Sequence, residues 1–153
     1  MTWSKGQKQT AGMKKKRFFS FLDFFWKNKK RRRGTKEYMS SQQIELLKSR
    51  LEEFMQQQQP FLKPGYSIKD MSSDLDIPSY QLSRFIIRNI GMHFNDFLNR
   101  YRVNYCEKLM KTLNSKISLK ELAYKCGFNN RNSFTTAFKK FTGQTPSYYA
   151  RHH

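Results

Sequence analysis

The stretch GFNNRNSFTTAFKKFTGQTPSYY, from Gly127 to Tyr149, decides the fold of this chain. A glycine–phenylalanine pair leads into a polar run typical of a turn, and aromatic residues then recur at the three- and four-residue spacing of an amphipathic helix. A second glycine and a proline end that helix and begin a last short one. No strand-like alternation of useful length occurs in the chain, so the sequence predicts an all-α domain.

A rougher copy of this layout lies earlier in the chain. Residues 67–97 align with residues 118–149 when one residue is added in the turn of the second copy. The matched pairs are Ser67/Ser118, Lys69/Lys120, Asp70/Glu121, Met71/Leu122, Ser72/Ala123, Leu82/Phe134, Ile86/Phe138 and Gly91/Gly143. Each copy predicts a helix, a short turn and a second helix, and such a repeat says more about architecture than a single motif.

Turn chemistry supports this interpretation in both copies. Gly127 lies in the second turn, where glycine adopts a positive φ without steric cost. Asp76 occupies that place in the first copy, and aspartate tolerates this conformation better than most residues. Asn129 or Asn130 can cap the following helix, and its counterpart is expected to begin near Pro78–Ser79, with proline in a first helical position.

The second helix of each copy, residues 79–90 and 130–142, has one apolar face. The predicted core residues are Leu82, Phe85, Ile86 and, at the edge, Ile90 in the first helix, and Phe134, Ala137, Phe138 and Phe141 in the second. The outward and edge residues are Tyr80, Gln81, Ser83, Arg84, Ile87 and Arg88, and then Arg131, Asn132, Ser133, Thr135, Thr136, Lys139 and Lys140. These sets lack acids, unlike ordinary solvated faces, and supply donors for phosphates and base edges, which favours double-stranded DNA as the partner.

Two further helices are predicted around the repeat. SSQQIELLKSRLEEFMQQQQPF carries one apolar stripe, with Ser40 or Ser41 as the cap and Pro60 at the end. Residues 93–113 predict a long, largely buried linker helix. If this linker holds the two outward-facing helices about 34 Å apart, one monomer can enter successive major-groove turns on one face of DNA.

Charge divides the chain near residue 37. The 153 residues contain 30 Lys and Arg against 11 Asp and Glu, a net charge of +19 that indicates nucleic acid or an anionic membrane surface as partner. Residues 1–36 hold 13 of these basic residues and one acid. We therefore predict a disordered basic and aromatic tail over 1–36 and a folded domain over 37–153.

The tail segment KKKRFFSFLDFFWKNKKRRR, residues 14–33, allows three interpretations. It can lie on an anionic membrane, act as a basic arm on DNA phosphates, or serve as a solvated linker. Its apolar cluster is shorter than the roughly 20 residues that a membrane span needs, so no transmembrane segment is predicted.

The sequence shows no arrangement of residues typical of a catalytic site or of a metal site. Cys106 and Cys126 lie in apolar helical patterns without CxxC spacing, which predicts buried, reduced thiols suited to a reducing cytoplasm. The histidines have no ligand-like spacing to them. The sequence also lacks a nucleophile–base pair, a phosphate-cradling glycine loop and an acidic dyad, so we predict no enzyme activity, no metal, no cofactor and no small-molecule site.

The second unit resembles the C-terminal signature of AraC/XylS-type bacterial transcription regulators. The matching residues are Ile117, Leu122, Ala123, Gly127, Phe128, Phe134, Phe138, Lys139, Gly143, Pro146 and Tyr149, and in the first unit Leu82, Ser83, Arg84, Gly91, Phe94 and Arg102. The resemblance implies about seven helices, with helix-turn-helix units at 67–91 and 118–142 joined by the linker helix. It also implies promoter binding and activation through contact with RNA polymerase, in the cytoplasm at the nucleoid.

The resemblance assigns site residues by position. The expected base contacts are Tyr80, Ser83, Arg84, Arg131, Asn132, Ser133 and Thr136, and the expected phosphate contacts are Arg88, Lys139 and Lys140. Arg84 matches a frequent arginine of the family and is expected to bind guanine. Thr136 stands where that family often has arginine, so direct readout by the second helix depends on Arg131 or Asn132. Ile87 and Arg88 stand at a pair of family lysines, which leaves Arg88 for a phosphate.

Two alternatives remain open from the sequence alone. A nonspecific nucleic-acid-binding protein shares the charge but does not need two groove-facing helices in register. The second alternative concerns the residues before the domain, which are too few for a sensor barrel. The protein is then expected to be either a small stand-alone activator governed by its abundance or the output module of a larger sensor-regulator, truncated or tethered at the inner membrane by residues 14–33.

Overall fold

The computed structural model describes residues 39–112 and 118–152, and within them the predicted all-α fold is confirmed. These segments form seven α-helices: α1 (Ser41–Gln58), α2 (Ile68–Leu75), α3 (Ser79–Phe85), α4 (Phe94–Thr112), α5 (Leu119–Lys125), α6 (Arg131–Thr142) and α7 (Pro146–His152). A 3₁₀ turn, Pro60–Leu62, follows α1, and a π-helical turn, Ile86–Ile90, extends α3. The predicted tail (1–36), its membrane contact (14–33) and the linker end at Leu113 lie outside the described residues.

Side-chain caps set where the helices begin. Ser40, Ser67, Ser118 and Asn130 cap α1, α2, α5 and α6, each accepting a hydrogen bond from the amide three residues on. Such a cap satisfies an amide that has no partner within the helix. Pro78 precedes α3 as its cap residue, with a φ of −54° and a ψ of 136°. The expectation that this proline takes the first helical position is therefore wrong by one residue.

The two interhelical turns share one geometry. Asp76 has a φ of +55° and Gly127 a φ of +83°, so both adopt the left-handed conformation that was predicted for them. Equivalent hydrogen bonds run from the Ile77 amide to the Ser72 carbonyl oxygen (3.1 Å) and from the Phe128 amide to the Ala123 carbonyl oxygen (3.0 Å). Each bond spans five residues and closes the end of the first helix of its unit.

The linker helix α4 packs against α6 and against the 3₁₀ turn. Its residues Val103 and Cys106 belong to a core that also contains Leu122, Ala123, Cys126, Phe128, Phe134, Ala137, Phe138 and Tyr149. Within this core, the Phe134 ring lies 5.3 Å from that of Phe128 and 5.6 Å from that of Phe138, and Phe138 lies 5.3 Å from Tyr149. These edge-on and tilted contacts hold the second turn, α6 and α7 to one another.

Cys106 and Cys126 are both free and fully buried, as predicted. A hydrogen bond with Cys126 and burial raise the pKa of the Cys106 thiol, in that order of size. Because the thiolate is the reactive form, Cys106 is inert at neutral pH. The pair therefore fills the core as small apolar side chains.

A buried arginine joins the linker helix to two other parts of the fold. Arg102 is 8% exposed, and its guanidinium donates to the carbonyl oxygens of Phe61 (2.7 Å) and Lys63 (3.2 Å) and to Asn99 Oδ1 (3.3 Å). The same group lies over the Phe128 ring, 5.4 Å from its centroid. Arg102 thus fixes the segment after α1, the linker helix and the second turn relative to one another.

Gly127 lies at the same junction. A Cβ atom at this position would overlap the carbonyl oxygen of Phe61 and come within 3.0 Å of the carbonyl carbon and Cα of Leu62. Gly91 and Gly143 also have positive φ angles, of +80° and +77°, but a Cβ atom there would meet nothing within 4 Å. Glycine at position 127 is therefore required by close backbone approach as well as by its φ angle.

Candidate nucleic-acid interface

Helix α3 and its π turn present one exposed strip. Tyr80 is 58% exposed and Ile87 is 42% exposed, and Arg84 and Arg88 are exposed as well, while Ser83 is half-buried. The opposite face is anchored by the buried residues Leu82, Phe85 and Ile86, whereas Ile90 is half-buried. The rotation of α3 about its axis is therefore fixed by the core, and the predicted contact residues point away from it.

The end of α3 departs from regular α-helix geometry. The Gly91 amide donates to the Ile86 carbonyl oxygen at 3.1 Å, five residues back, and Asn89 Nδ2 donates to the Phe85 carbonyl oxygen at 3.0 Å. A π turn widens the helix and shifts the residues after it relative to a regular α-helix. The predicted helix over 79–90 is present with this local change, for which the apolar periodicity gave no signal.

Helix α6 presents a second exposed strip that is polar throughout. Its exposed residues are Arg131, Asn132, Ser133, Thr136, Lys139 and Lys140. Asn130 does not belong to the strip, because its Oδ1 accepts the Ser133 amide at 2.8 Å. Phe134 and Phe138 are fully buried on the opposite face, while Phe141, predicted as core, is half-buried. All predicted site residues of the second unit thus lie on one outward surface.

One predicted phosphate contact is already engaged within the protein. Lys140 Nζ donates to Asp96 Oδ1 at 2.7 Å, with the two side chains 55% and 33% exposed. Asp96 lies in the first turn of α4, so the ion pair ties α6 to the start of the linker helix. It also places a carboxylate beside the exposed strip of α6. Sequence analysis missed Asp96 because the two partners are 44 residues apart and no local pattern connects them.

In the part of the chain that the structure describes, little supports a metal site, a membrane-spanning helix or a ligand pocket. No group of three or more His, Cys, Asp or Glu side chains in residues 39–112 and 118–152 could hold a metal ion. No helix in these segments is both long and apolar enough to cross a membrane. An open cavity of about 270 Å³ between α1, the π turn and α4 has Lys48, Glu52 and Arg100 in its lining, and it is smaller than the roughly 300–1,000 Å³ of ligand pockets.

Sequence comparison places most of the described residues in one family. Residues 71–152 match the model of the helix-turn-helix domain family. The HTH-type transcriptional regulator YijO of Escherichia coli K12 is 36% identical over 74 residues, which are 48% of this chain and 25% of YijO. The chain spans about a quarter of the length of the curated relatives it matches.

Solved structures share the same architecture. The C-terminal domain of AraT, a response regulator from Geobacillus stearothermophilus, is 26% identical with a TM-score of 0.59, over 69% of this chain and 84% of that one. The DNA-binding domain of AdpA, a global transcriptional factor solved in complex with a target DNA, is 20% identical with a TM-score of 0.53, over 70% of this chain and 87% of that one. At the lower identity, the likeness concerns the fold alone.

Proposed function

The chain belongs to the AraC-type helix-turn-helix family of DNA-binding transcription regulators, and on this premise we propose that α3 and α6 enter successive turns of the major groove of promoter DNA. The observation that carries the proposal is the pair of exposed, acid-free strips, each backed by buried apolar residues. An α-helix fits the major groove, where base edges differ in their donors and acceptors. The AdpA domain, which shares this fold, was solved in complex with a target DNA, so the fold is compatible with that partner.

The first strip divides into base and phosphate contacts. Arg84 lies in the last turn of α3, just before the π turn, and its forked donors suit the O6 and N7 acceptors of guanine. Tyr80 and Ser83, nearer the helix start, are proposed to contact neighbouring bases. Arg88 lies in the π turn at the far end of the helix and is assigned to a backbone phosphate.

The residues of the second strip, on α6, also divide into base contacts and phosphate contacts. Arg131, Asn132, Ser133 and Thr136, at and after the start of α6, are proposed base contacts, with Asn132 suited to adenine and Arg131 to guanine. Lys139 and Lys140, in the last turn, are proposed phosphate contacts. The junction of Arg102 with Phe61, Lys63 and Phe128 supports a fixed spacing between the two units.

Activation of transcription through RNA polymerase, in the cytoplasm at the nucleoid, completes the proposal and rests on the family resemblance. A purified transcription reaction tests it directly, with a template that carries the selected site and a template with that site shuffled. Increased transcript from the first template alone supports activation. Decreased transcript indicates a repressor instead.

Selection from a random duplex library tests sequence-specific binding. The selected duplex and a shuffled duplex of equal composition are compared at about 50 and 200 mM salt, because nonspecific binding weakens steeply over this range. We expect the selected duplex to bind at least about 10³-fold more tightly at the higher salt. Equal affinity for both duplexes would show that the protein binds nucleic acid without sequence preference.

The change Arg84→Ala is expected to weaken binding by about 1–3 kcal/mol and to relax preference at one base pair, because a bidentate guanine contact is lost. Arg88→Ala provides the matched control on the same helix. It should weaken binding to all sequences alike and lower the slope of log affinity against log salt by about one. Library selection with each variant measures both effects. If Arg84→Ala weakens every sequence equally, Arg84 contacts a phosphate.

The change Asp96→Asn is expected to strengthen DNA binding. It releases Lys140 from its ion pair and removes a carboxylate beside the phosphate-facing end of α6, so the salt slope should steepen by about one. Stability should fall by no more than about 1 kcal/mol, because the pair is partly solvent-exposed. Titration of the selected duplex at several salt concentrations measures the change. Weaker binding at unchanged stability would mean that Asp96 holds Lys140 in its DNA-binding position.

A further inference from the structure

The two recognition helices differ in one respect that charge does not explain. Every exposed residue of α6 is polar or charged. The strip on α3 instead carries two exposed large apolar side chains, Tyr80 at 58% and Ile87 at 42% exposure. They lie on either side of Arg84 along the helix. A single exposed isoleucine is common on protein surfaces, but this one lies on the surface that the proposed function places in the groove.

The spacing of these residues puts them on one line. Tyr80, Arg84 and Ile87 are separated by four and three residues, which places them on the same side of a helix. Ile86, the first residue of the π turn, has a φ of −59° and a ψ of −46°, so Ile87 still follows the α3 register. At about 1.5 Å of rise per residue, Ile87 lies roughly 4.5 Å beyond Arg84, close to the separation of about 3.4 Å between neighbouring bases on a strand.

An isoleucine side chain can recognise one feature of the major groove. It has no donor or acceptor, so it cannot bind a phosphate or a polar base edge. The apolar group that base pairs display in the major groove is the C5-methyl group of thymine. Burying an exposed isoleucine against that methyl group removes apolar surface of both partners from water, which is favourable.

We propose that Ile87 packs against the C5-methyl group of a thymine next to the base pair contacted by Arg84, and so specifies thymine at that position. This inference rests on the proposed function, since it requires α3 in the major groove. The DNA segment bound by α3, the first half-site, is then recognised by a guanine contact and a thymine contact. The segment bound by α6, the second half-site, is recognised through polar groups.

Replacing single thymines by uracil in the selected duplex tests this inference, because uracil differs from thymine by that methyl group alone. Affinities are measured for the wild-type protein and for Ile87→Ala with each duplex. At one thymine in the first half-site, we expect uracil to weaken wild-type binding about fourfold, the value of one buried methyl group. Ile87→Ala should bind the normal and the uracil duplex equally at that position, because the contact is already lost.

Leu46→Ala is the matched control, since Leu46 is exposed on α1, outside both strips. This variant should keep the wild-type sensitivity to uracil. If no thymine substitution loses its effect in Ile87→Ala, Ile87 is an ordinary surface residue and the inference is wrong. Selection with Ile87→Ala separates the two levels. If this variant keeps the preference for the guanine assigned to Arg84, the proposed function stands whatever the result with uracil, whereas a wild-type protein without any sequence preference would overturn both.

Discussion

The change Gly127→Ala is expected to lower the free energy of unfolding by about 2–5 kcal/mol. An alanine with a φ of +83° costs about 1–2 kcal/mol in backbone strain. Its Cβ atom also overlaps the carbonyl oxygen of Phe61 and crowds the Leu62 backbone. Since no flexible side chain can move aside, the second turn must shift away from the segment after α1, which adds about 1–3 kcal/mol. Urea unfolding followed by circular dichroism measures the loss.

Substitutions at two other glycines distinguish the cost of backbone strain from the cost of crowding by neighbouring atoms. Gly91→Ala and Gly143→Ala have similar φ angles, but their Cβ atoms enter open space. We therefore expect a loss of about 1–2 kcal/mol in each, from strain alone. Equal losses at all three positions would show that the contact with Phe61 contributes nothing. DNA affinity should also fall more in Gly127→Ala than in the other two, because only that change moves α6 relative to α3.

The change Arg102→Met is expected to destabilise the domain by roughly 3 kcal/mol or more. Methionine has similar length but no donors, so the carbonyl oxygens of Phe61 and Lys63 lose their buried charged partner. Hydrogen bonds to charged groups contribute about 1.5–3 kcal/mol each, and a carbonyl left buried and unpaired adds to the loss. Thermal and urea unfolding both measure this change.

Arg100→Met is the control for Arg102→Met, because Arg100 lies on the same helix and is exposed. Its effect on stability should stay within about 0.5 kcal/mol. Arg102→Lys is expected to lie between the two, since lysine keeps the charge but not the fork that reaches two carbonyl oxygens. A loss below about 1 kcal/mol in Arg102→Met would contradict the junction described here, because even one lost charged hydrogen bond exceeds it.

Local features of the fold were predictable because their causes are local. The start of α1 was predicted at Ser40 or Ser41, before an apolar stripe, and that of α6 at Asn129 or Asn130, after the turn. The caps are Ser40 and Asn130. The left-handed turns at Asp76 and Gly127 followed from residue type and from their place in the repeat. The buried faces of α3 and α6 followed from the three- and four-residue spacing of their apolar residues, because residues at that spacing lie on one side of a helix and face the core together.

The features that sequence reasoning missed depend on partners far along the chain. Arg102 is held by carbonyl oxygens 41 and 39 residues away, and Lys140 pairs with Asp96 at a distance of 44 residues. No pattern within one helix indicates either contact. The π turn at Ile86–Ile90 was not predicted either, because IIRNI is compatible with a regular helix. The resemblance pointed to position 102, but the role of its side chain required the structure.

We propose that one rigid domain places α3 and α6 in neighbouring turns of the major groove at the same time, and the spacing of the two DNA segments tests this most directly. Affinity is measured for the selected duplex and for duplexes with one to five base pairs inserted between the two half-sites, which lie about 10 base pairs apart. Every insertion should reduce affinity to that of a duplex carrying one half-site. Affinity that is unchanged across the series, or unchanged when the second half-site is shuffled, would contradict the claim.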